Sequence, residues 1–291
     1  MLMNIRIKKN VILFSLFLIS IPSICFSWGA KPHYLITEHA VSLLPEDLAK
    51  FYDRNLAYIK TFSMLPDDLR LSYRETGYRH FIDLDMLDEY PFDKVKVDYK
   101  TAQEIFGEEL LKKAGILPWA IEDHYNRLVK AMKDEDLVGV GVQSGIISHL
   151  VGDVHVPFHN TKNYDGATED QKGIHFRWEE ALVSMYIEPH HILPKEPEKV
   201  DKILDSAFNW SIESFKRNEA IFAADDLATQ QDKKRGWKYY NVLWNETKDI
   251  MKAQLAKASE RLAGVYIAAW EEAGKPDLGD KPAPYFWDMY E

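Results

Sequence analysis

Apolar residues recur every three or four positions over most of the chain, which is the spacing of a helix with one buried face. Seven segments show this pattern: 33–44, 101–114, 121–132, 138–156, 175–187, 200–223 and 239–273. Runs of alternating polarity long enough to form a sheet are absent. Pro118 stands at the start of one segment, and Pro157 and Gly274 stand at the ends of two others. The pattern predicts an all-α fold.

The first residues of the chain have the pattern of a secretory signal peptide. Three basic residues precede an apolar run at 11–21 that is too short to span a bilayer comfortably. Small side chains at Cys25 and Ser27 favour a cleavage that leaves Trp28 as the first residue of the mature chain. A lipoprotein-type cleavage before Cys25 is the alternative, although Ile24 is bulky for the residue before a lipidated cysteine. We therefore expect an exported protein, periplasmic or secreted.

Removal of a signal peptide at 1–27 leaves residues 28–291, and no Gly/Ser-rich linker divides them. We expect these residues to form a single multi-helix domain without a transmembrane segment. Cys25 is the only cysteine and is lost with the signal, so the mature chain has no disulfide with which to stabilise itself. The sequence leaves the oligomeric state open.

The whole chain has a formal net charge of −10, and the signal carries three basic residues and no acidic one, so residues 28–291 carry −13. A protein this acidic has no overall attraction to nucleic acid or to an anionic membrane. An anionic substrate must therefore be attracted locally, and a cluster of metal ions would supply that attraction.

The densest group of chemically active residues lies between 149 and 159. His149 and Asp153 are four residues apart, so on a helix they share one face and can bind one metal ion together. Pro157 ends the helix and lets His159 turn back toward the same region. A His and an Asp at this spacing, taken alone, also suit a surface ion pair. Imidazole and carboxylate groups are suitable zinc ligands, and a carboxylate can bridge two ions.

Further residues of the same types favour the metal interpretation. His175 and Glu179 repeat the four-residue spacing on the next predicted helix. Upstream lie His33, Asp67 in Leu-Pro-Asp-Asp-Leu-Arg, and His80 in Tyr-Arg-His-Phe-Ile-Asp.

Two further residues, Asp68 and His155, lie close to the candidate ligands in the sequence and are left out of the ligand set. Asp68 is the alternative to Asp67, but only Asp67 is followed three residues later by an arginine, Arg70. His155 is two residues from Asp153 on the helix and is expected to face away, as a packing residue.

This arrangement resembles the superfamily that unites bacterial zinc phospholipases C with single-strand-specific zinc nucleases. In that superfamily the mature chain begins with a tryptophan whose amino nitrogen and carbonyl oxygen bind metal, and a nearby histidine joins them. Trp28 and His33 match these positions. The resemblance extends from Trp28 to about Glu179, and the remainder agrees only in being helical.

The resemblance implies three zinc ions. One would take Asp67, His80, His149 and Asp153, another would take His159, His175 and Glu179, and the third would take Trp28, His33 and Asp153, with Asp153 bridging. Three divalent ions against three carboxylates leave a local charge of +3, which would hold a phosphodiester on an acidic protein.

The resemblance also implies roles in catalysis. Water shared between two zinc ions loses a proton at roughly neutral pH and attacks phosphorus in line. Asp67 and Asp153 would position the ions, Arg70 would hold a nonbridging phosphate oxygen, and Asp83 would orient the water or a ligand.

The substrate stays open between two classes. Glu179 within a short Gly-Ile-His segment, and the lack of disulfides, favour a phospholipase C; the step from Trp28 to His33 and the step from Asp67 to Arg70 favour a single-strand-specific nuclease. We give phospholipid a slight preference over single-stranded nucleic acid. A helical zinc-binding protein without catalysis is the non-enzymatic alternative.

Overall fold

The computed structural model describes residues 29–279 and residue 282, apart from the side chains of Arg74 and Glu75. The predicted signal peptide, Trp28 and the C-terminal tail lie outside the described residues. Within the described ranges the chain forms helices and no strand, which confirms the all-α prediction.

The α-helices are named in chain order. They are α1 (Ala30–Val41), α2 (Glu46–Arg54), α3 (Leu56–Phe62), α4 (Leu65–Ser72), α5 (Leu84–Leu87), α6 (Tyr99–Phe106), α7 (Glu108–Ala114), α8 (Leu117–Lys133), α9 (Leu137–Val154), α10 (Ile174–Phe176), α11 (Val183–Tyr186), α12 (Ile203–Phe215), α13 (Asn218–Gln231) and α14 (Trp237–Glu272). A π-helix, Arg177–Leu182, joins α10 to α11 without a break. Short 3-10 helices occupy Arg74–Arg79, Asp93–Val95, Pro157–Asn160, Glu169–Gln171 and Pro189–His191.

Two of the predicted helical segments are each divided in the structure. The segment predicted at 101–114 becomes α6 and α7, because Gly107 takes a φ of 77° that a right-handed helix does not allow. The segment predicted at 200–223 becomes α12 and α13, separated by Lys216 and Arg217.

Helix α9 lies at the centre of the molecule and packs against α1, α3, α8 and α14. It is the one described helix long and apolar enough by length and composition to span a membrane, and 67% of it is buried inside the protein. A buried core helix meets the same criteria, because its neighbours replace water on all sides. The burial of α9 therefore accounts for its apolar sequence.

The ends of α9 and α14 agree with the prolines and glycines of the sequence. Helix α9 ends at Val154, and Pro157 begins the 3-10 turn that carries His159. Helix α14 ends at Glu272, just before Gly274. The turn after α9 returns the chain to the centre of the fold, where the candidate metal ligands lie.

Candidate metal centre

Six elements bring the predicted ligands together. His33 lies on α1, Asp67 on α4, and His149 and Asp153 on α9. His80 follows the 3-10 helix Arg74–Arg79, His159 lies in the 3-10 turn after α9, and His175 and Glu179 lie on the α10 and π-helix segment. All eight residues are buried, none being more than 4% exposed. The ninth predicted ligand, Trp28, lies outside the described residues.

The first group consists of Asp67, His80, His149 and Asp153. The Nδ1 atom of His80 lies 3.0 Å from the Nε2 atom of His149 and 3.0 Å from Oδ2 of Asp153, and His149 Nε2 lies 3.2 Å from the same oxygen. Asp67 Oδ1 is 3.8 Å from His80 Nδ1 and 3.9 Å from His149 Nε2. Tetrahedral zinc with bonds of about 2.1 Å holds its ligand atoms roughly 3.3 Å apart, so the spacing of this group suits that ion.

Backbone carbonyls orient two of the imidazoles. His149 donates its Nδ1 hydrogen to the carbonyl oxygen of Ser63 at 2.7 Å, and His159 donates its Nδ1 hydrogen to the carbonyl oxygen of His80 at 2.7 Å. A neutral imidazole that donates through Nδ1 carries its lone pair on Nε2. The Nε2 atoms of both rings therefore face the centre as acceptors, and such outer hydrogen bonds commonly hold metal-binding histidines in position.

A second group is formed by His33, His149 and Asp153. The Nε2 atom of His33 lies 3.8 Å from Oδ1 of Asp153, and the rings of His33 and His149 stack with centroids 4.1 Å apart. Gly152 makes this approach possible, because a Cβ atom there would lie 2.7 Å from Nδ1 of His33. The two oxygens of Asp153 thus face different groups of nitrogen atoms.

The third group is formed by His159, His175 and Glu179. The Nε2 atom of His175 lies 2.9 Å from Oε2 of Glu179, and His159 Nε2 lies 3.9 Å from the same oxygen. Despite these distances, neither ring nitrogen of His175 and neither oxygen of Glu179 has a hydrogen bond of acceptable geometry, although all four atoms are buried. Glu179 lies within the π-helix, a form that is frequent at functional sites.

Burial controls the protonation of the imidazoles. It lowers the pKa of His159 to about 3 and that of His175 to about 4, and it lowers the pKa of His33 well below the ordinary value. These rings are therefore neutral at pH 7 and present lone pairs. For His149, burial alone would lower the pKa, but the Asp153 and Asp67 carboxylates outweigh it and raise the pKa.

Burial has the opposite effect on the pKa of a carboxyl group, which it raises. Burial, together with the charges of Asp153 and Asp67, raises the pKa of Glu179 well above the ordinary value. Burial would also raise the pKa of Asp153, but His149 and His159 outweigh it and hold that pKa well below the ordinary value. An ionised Glu179 is thus costly unless a cation lies beside it.

These residues fit zinc. The donors are imidazole nitrogens and carboxylate oxygens, the combination typical of zinc sites. Ligand atoms lie within 4.8 Å of one another in each of three sets: Asp67 with His80 and His149, His33 with His149 and Asp153, and His159 with His175 and Glu179. A divalent cation would satisfy the buried atoms of His175 and Glu179 that lack hydrogen-bond partners. The assignment of individual ligands stays a prediction.

A cavity of about 490 Å³ opens beside the groups, with His80, His159 and His175 in its wall. Arg70 also lines it and lies 3.2 Å from Oδ1 of Asp67. Asp83 lies in the same wall but does not belong to any of the three groups.

Sequence reasoning left several residues of the cavity wall unassigned: Phe81, Lys113, Phe158, Lys162 and Tyr164. Phe81 lies in the chain between His80 and Asp83, both of which the sequence analysis had selected. That position was the one indication in the sequence that Phe81 belongs to the site. Lys113 lies more than 30 residues from any candidate ligand in the chain, and only folding brings it to the cavity.

His155 and Asp68 are outside the groups, as the sequence suggested. His155 is fully buried, donates its Nδ1 hydrogen to the carbonyl oxygen of Val151, and accepts at Nε2 from Arg261 at 3.0 Å. Asp68 is exposed, whereas Asp67 is buried among the ligand atoms.

An all-helical domain that gathers buried imidazoles and carboxylates beside an open cavity has the architecture of a metal-dependent hydrolase. Comparison with protein families matches residues 28–270 to the S1/P1 nuclease family, so the chain belongs to that family. It is therefore a zinc-dependent phosphoric diester hydrolase, and the resemblance noted from the sequence is confirmed. No curated protein matches the chain.

Proposed function

We propose that the protein hydrolyses phosphodiester bonds in single-stranded nucleic acid. The observation that carries this proposal is the cavity beside the ligand groups, which combines the rings of Phe81 and Tyr164 with the carboxyl group of Asp83. Aromatic rings stack on bases of any sequence, and a carboxyl group can hydrogen-bond a base edge. Single-stranded bases are available for both contacts, whereas paired bases are not.

Cations in the same cavity suit the phosphates of such a substrate. Lys113 and Lys162 are exposed in its wall, and Arg70 lies deeper, next to Asp67. A guanidinium group beside the ligand groups can hold a nonbridging phosphate oxygen through charge-assisted hydrogen bonds. The slight preference for phospholipid drawn from the sequence receives no support, and membership of the S1/P1 nuclease family favours nucleic acid.

We assign the ligands as the resemblance implies. Asp67, His80, His149 and Asp153 would hold one zinc ion, and His159, His175 and Glu179 would hold a second. His33 and Asp153 would hold a third together with the amino group of Trp28. Zinc bound in these groups would supply Lewis acidity and a water that ionises near neutral pH.

The protein's own residues orient this chemistry. Asp153 presents Oδ2 to His80 and His149, and Oδ1 to His33 and His159. It would therefore fix the distance between two ions as a bridge. Asp83 has its pKa raised to about 7 by burial and by Asp85, so near neutral pH it can either donate or accept a hydrogen bond.

Export is part of the proposal. The basic start, the apolar run and the small residues before Trp28 predict cleavage that exposes the Trp28 amino group. Gly29, the first described residue, lies against the carboxylate of Glu180, and Glu180 follows the candidate ligand Glu179. Residue 29 is therefore next to the helix that carries the third group.

The substrate is tested by assaying zinc-loaded mature protein on single-stranded DNA, double-stranded DNA and phosphatidylcholine vesicles, each with and without a chelator. We expect chelator-sensitive cleavage that is fastest on single-stranded DNA. Phe81→Ala should reduce that cleavage by roughly tenfold, through the lost stacking of one base. Leu193→Ala, which changes a side chain that is 74% exposed and outside the cavity, is the control. Faster hydrolysis of phosphatidylcholine than of DNA would overturn the proposal.

A further inference from the structure

A stack of three aromatic rings lies at the surface, outside the catalytic cavity. The ring of Tyr186 lies between those of Trp244 and Trp237: it stacks on Trp244 at a centroid distance of 4.8 Å and an interplanar angle of 8°. It faces Trp237 at 6.1 Å and 25°. The Tyr186 hydroxyl group donates to Oδ1 of Asn241 at 3.1 Å, which holds the ring against α14. Trp237 is 68% exposed, so much of its ring surface is open to solvent.

The spacing of the two tryptophans follows from the helix. Trp237 and Trp244 are seven residues apart on α14, which is about two turns and roughly 10 Å, and this places both rings on one face. Tyr186, the last residue of α11, fills the gap between them. The stack is therefore built from two helices and is formed by the protein's own side chains.

Positive charge is concentrated beside the stack. Lys233, Lys234, Arg235 and Lys238 lie within six residues of one another, and all but Arg235 are exposed. Lys252 adds a further cation, with its Nζ atom 5.8 Å from the centre of the Trp244 ring. In a chain with a net charge of −10, this run opposes the overall sign.

The loop that carries this charge is fixed in shape. The carboxylate of Asp232 accepts hydrogen bonds from the backbone N–H groups of Lys234 at 3.1 Å and Gly236 at 2.9 Å. Arg235 donates to the carbonyl oxygen of Asp170 and lies over the ring of Tyr239 at 5.9 Å. Because the loop is already ordered, binding an anion there costs little conformational entropy.

Acidic residues do not cancel the charge. On α14 the exposed acids near the stack are Glu246 and Asp249, Glu188 lies just after α11, and exposed Asp170 lies beside the loop. Asp232 uses its carboxylate within the loop. The balance over the loop and the first two turns of α14 is positive.

The position relative to the ligand groups is also suitable. Tyr186 follows Glu179 by seven residues on the continuous helix formed by the π-helix and α11, a separation of roughly 10 Å along the axis. Tyr186 of the stack and Glu179 of the third ligand group are therefore held on one continuous helix, about two turns apart.

We propose that this surface, formed by Tyr186, Trp237, Trp244 and the basic run 233–238, binds single-stranded nucleic acid outside the catalytic cavity. An exposed ring, Trp237, at the end of a stack and flanked by lysines combines the two means by which proteins bind single strands without sequence preference. The inference rests on the proposed nuclease function, because it assigns the surface to the same substrate. If the proposal is correct, a long strand contacts both the cavity and this surface, whereas a dinucleotide contacts the cavity alone.

Two measurements on the zinc-loaded mature protein test it. The first is the KM for a long oligothymidylate and for a thymidine dinucleotide, and the second is the fluorescence anisotropy of the labelled long strand. We expect Trp237→Ala to raise the KM and Kd for the long strand by roughly 5- to 50-fold, as loss of one stacked base implies. The KM for the dinucleotide should be unchanged.

Lys234→Glu should weaken binding of the long strand and lower the slope of log Kd against log salt concentration by about 0.7 per lost phosphate contact. Tyr90→Ala is the matched control. Tyr90 resembles Trp237 in being an exposed ring, at 59%, with a lysine, Lys216, 5.4 Å from the ring centre. It lies near the start of α13, whereas Trp237 lies just after the end of α13.

The outcomes separate the two proposals. Absence of hydrolysis of either DNA substrate contradicts the nuclease function, and anisotropy still reports whether the surface binds the strand. Normal hydrolysis with equal long-strand affinity for the wild type, Trp237→Ala and Tyr90→Ala overturns the surface proposal alone. A change in oligomeric state of Trp237→Ala with unchanged DNA affinity also overturns it, because the stack would then be a protein interface.

Discussion

At the scale of single residues, Asp153 connects two of the candidate ligand groups. Its Oδ2 atom lies 3.0 Å from Nδ1 of His80 and 3.2 Å from Nε2 of His149, and its Oδ1 atom lies 3.8 Å from Nε2 of His33. It is fully buried, so a change of its charge is not compensated by water. Among the candidate ligands it is the one whose two oxygens face different groups.

We expect Asp153→Asn to lose metal and activity together. The amide keeps the shape of the side chain but is a poor metal ligand that cannot bridge two ions through charged oxygens. The expected loss of diester hydrolysis is about 100-fold or more, since even outer-sphere changes at zinc sites cost roughly 10- to 100-fold. Metal content is measured by mass spectrometry on the same sample as activity.

His39→Ala is the control for this substitution. His39 is on α1 and partly exposed, and its side chain hydrogen-bonds the carbonyl oxygen of Pro189 rather than any candidate ligand. If the Asp153→Asn and His39→Ala variants held the same metal and had the same activity, the ligand assignment would be wrong.

Asp83 makes a different contribution, to the dependence of stability on pH. Burial and the charge of Asp85 raise its pKa from 3.8 to about 7, while Lys162 opposes the change. Because the folded-state pKa lies above the unfolded one, the folded protein holds a proton that the unfolded chain releases. Stability is therefore lost as pH rises through this range, and the loss is complete above about pH 7.

Asp83→Asn removes this loss. Relative to the wild type, we expect the variant to gain on the order of 2 kcal/mol in unfolding free energy between about pH 4 and pH 8. Denaturant unfolding of the chelator-treated proteins at both pH values measures the difference. Parallel pH profiles for the two proteins would show that Asp83 is ionised in the fold throughout.

At the scale of elements, α9 depends on glycines where other groups approach it. A Cβ atom at Gly152 would lie 2.7 Å from Nδ1 of His33, and one at Gly145 would lie 2.5 Å from Cβ of Phe62 and 2.7 Å from the carbonyl oxygen of Ile59. Both positions are buried. One approach involves a candidate ligand and the other involves the packing of α3 on α9.

We expect Gly152→Ala to displace His33 and to lower the zinc content by about one ion per chain. Gly145→Ala should instead destabilise the fold by about 1–3 kcal/mol through overpacking, with the zinc content unchanged. Metal analysis and thermal unfolding of both variants separate these effects. Equal zinc content in the two variants would remove the argument for His33 as a ligand.

The sequence predicted the helices whose apolar residues repeat regularly over many consecutive positions. The long apolar periods of α8, α9 and α14 and the proline after α9 were sufficient to predict them. The short helices α2 to α5 were not predicted, because a helix of fewer than three turns has too few apolar positions to show a period. Helix α4, which carries Asp67, is one of these.

The candidate ligands were identifiable because they come in pairs at fixed spacing, such as His149 with Asp153 and His175 with Glu179. The cavity was not, since Lys113 reaches it from α7, whereas Lys162 and Tyr164 reach it from the loop after His159. The stack of Tyr186 with Trp237 and Trp244 joins residues about 50 positions apart, and such long-range contacts leave no periodic signal in the sequence.

At the scale of the whole molecule, the proposed export would be linked to metal binding. A mature chain beginning at Trp28 would have no cysteine, so bound ions take the place of disulfides as a source of stability. The three carboxylates of the groups are buried at the centre of an acidic protein. Cations there would reverse the local charge and attract an anionic strand that the surface as a whole repels.

The free amino group of Trp28 is tested by extending the chain. One extra residue before Trp28 converts the amine into an amide, which is a poor ligand. We expect the extended protein to lose close to one zinc ion and most of its activity while keeping the other ions. Three tightly held ions and unchanged activity in the extended protein would refute the amino-terminal ligand.

The most direct test of the central claim is a zinc titration of the chelator-treated mature protein, followed by cleavage of single-stranded DNA and by zinc counting on the same samples. We predict no cleavage without zinc, recovery as zinc binds, and a plateau close to three ions per chain, in line with the three groups of ligands. Full cleavage of DNA by protein that holds no transition metal would contradict the account.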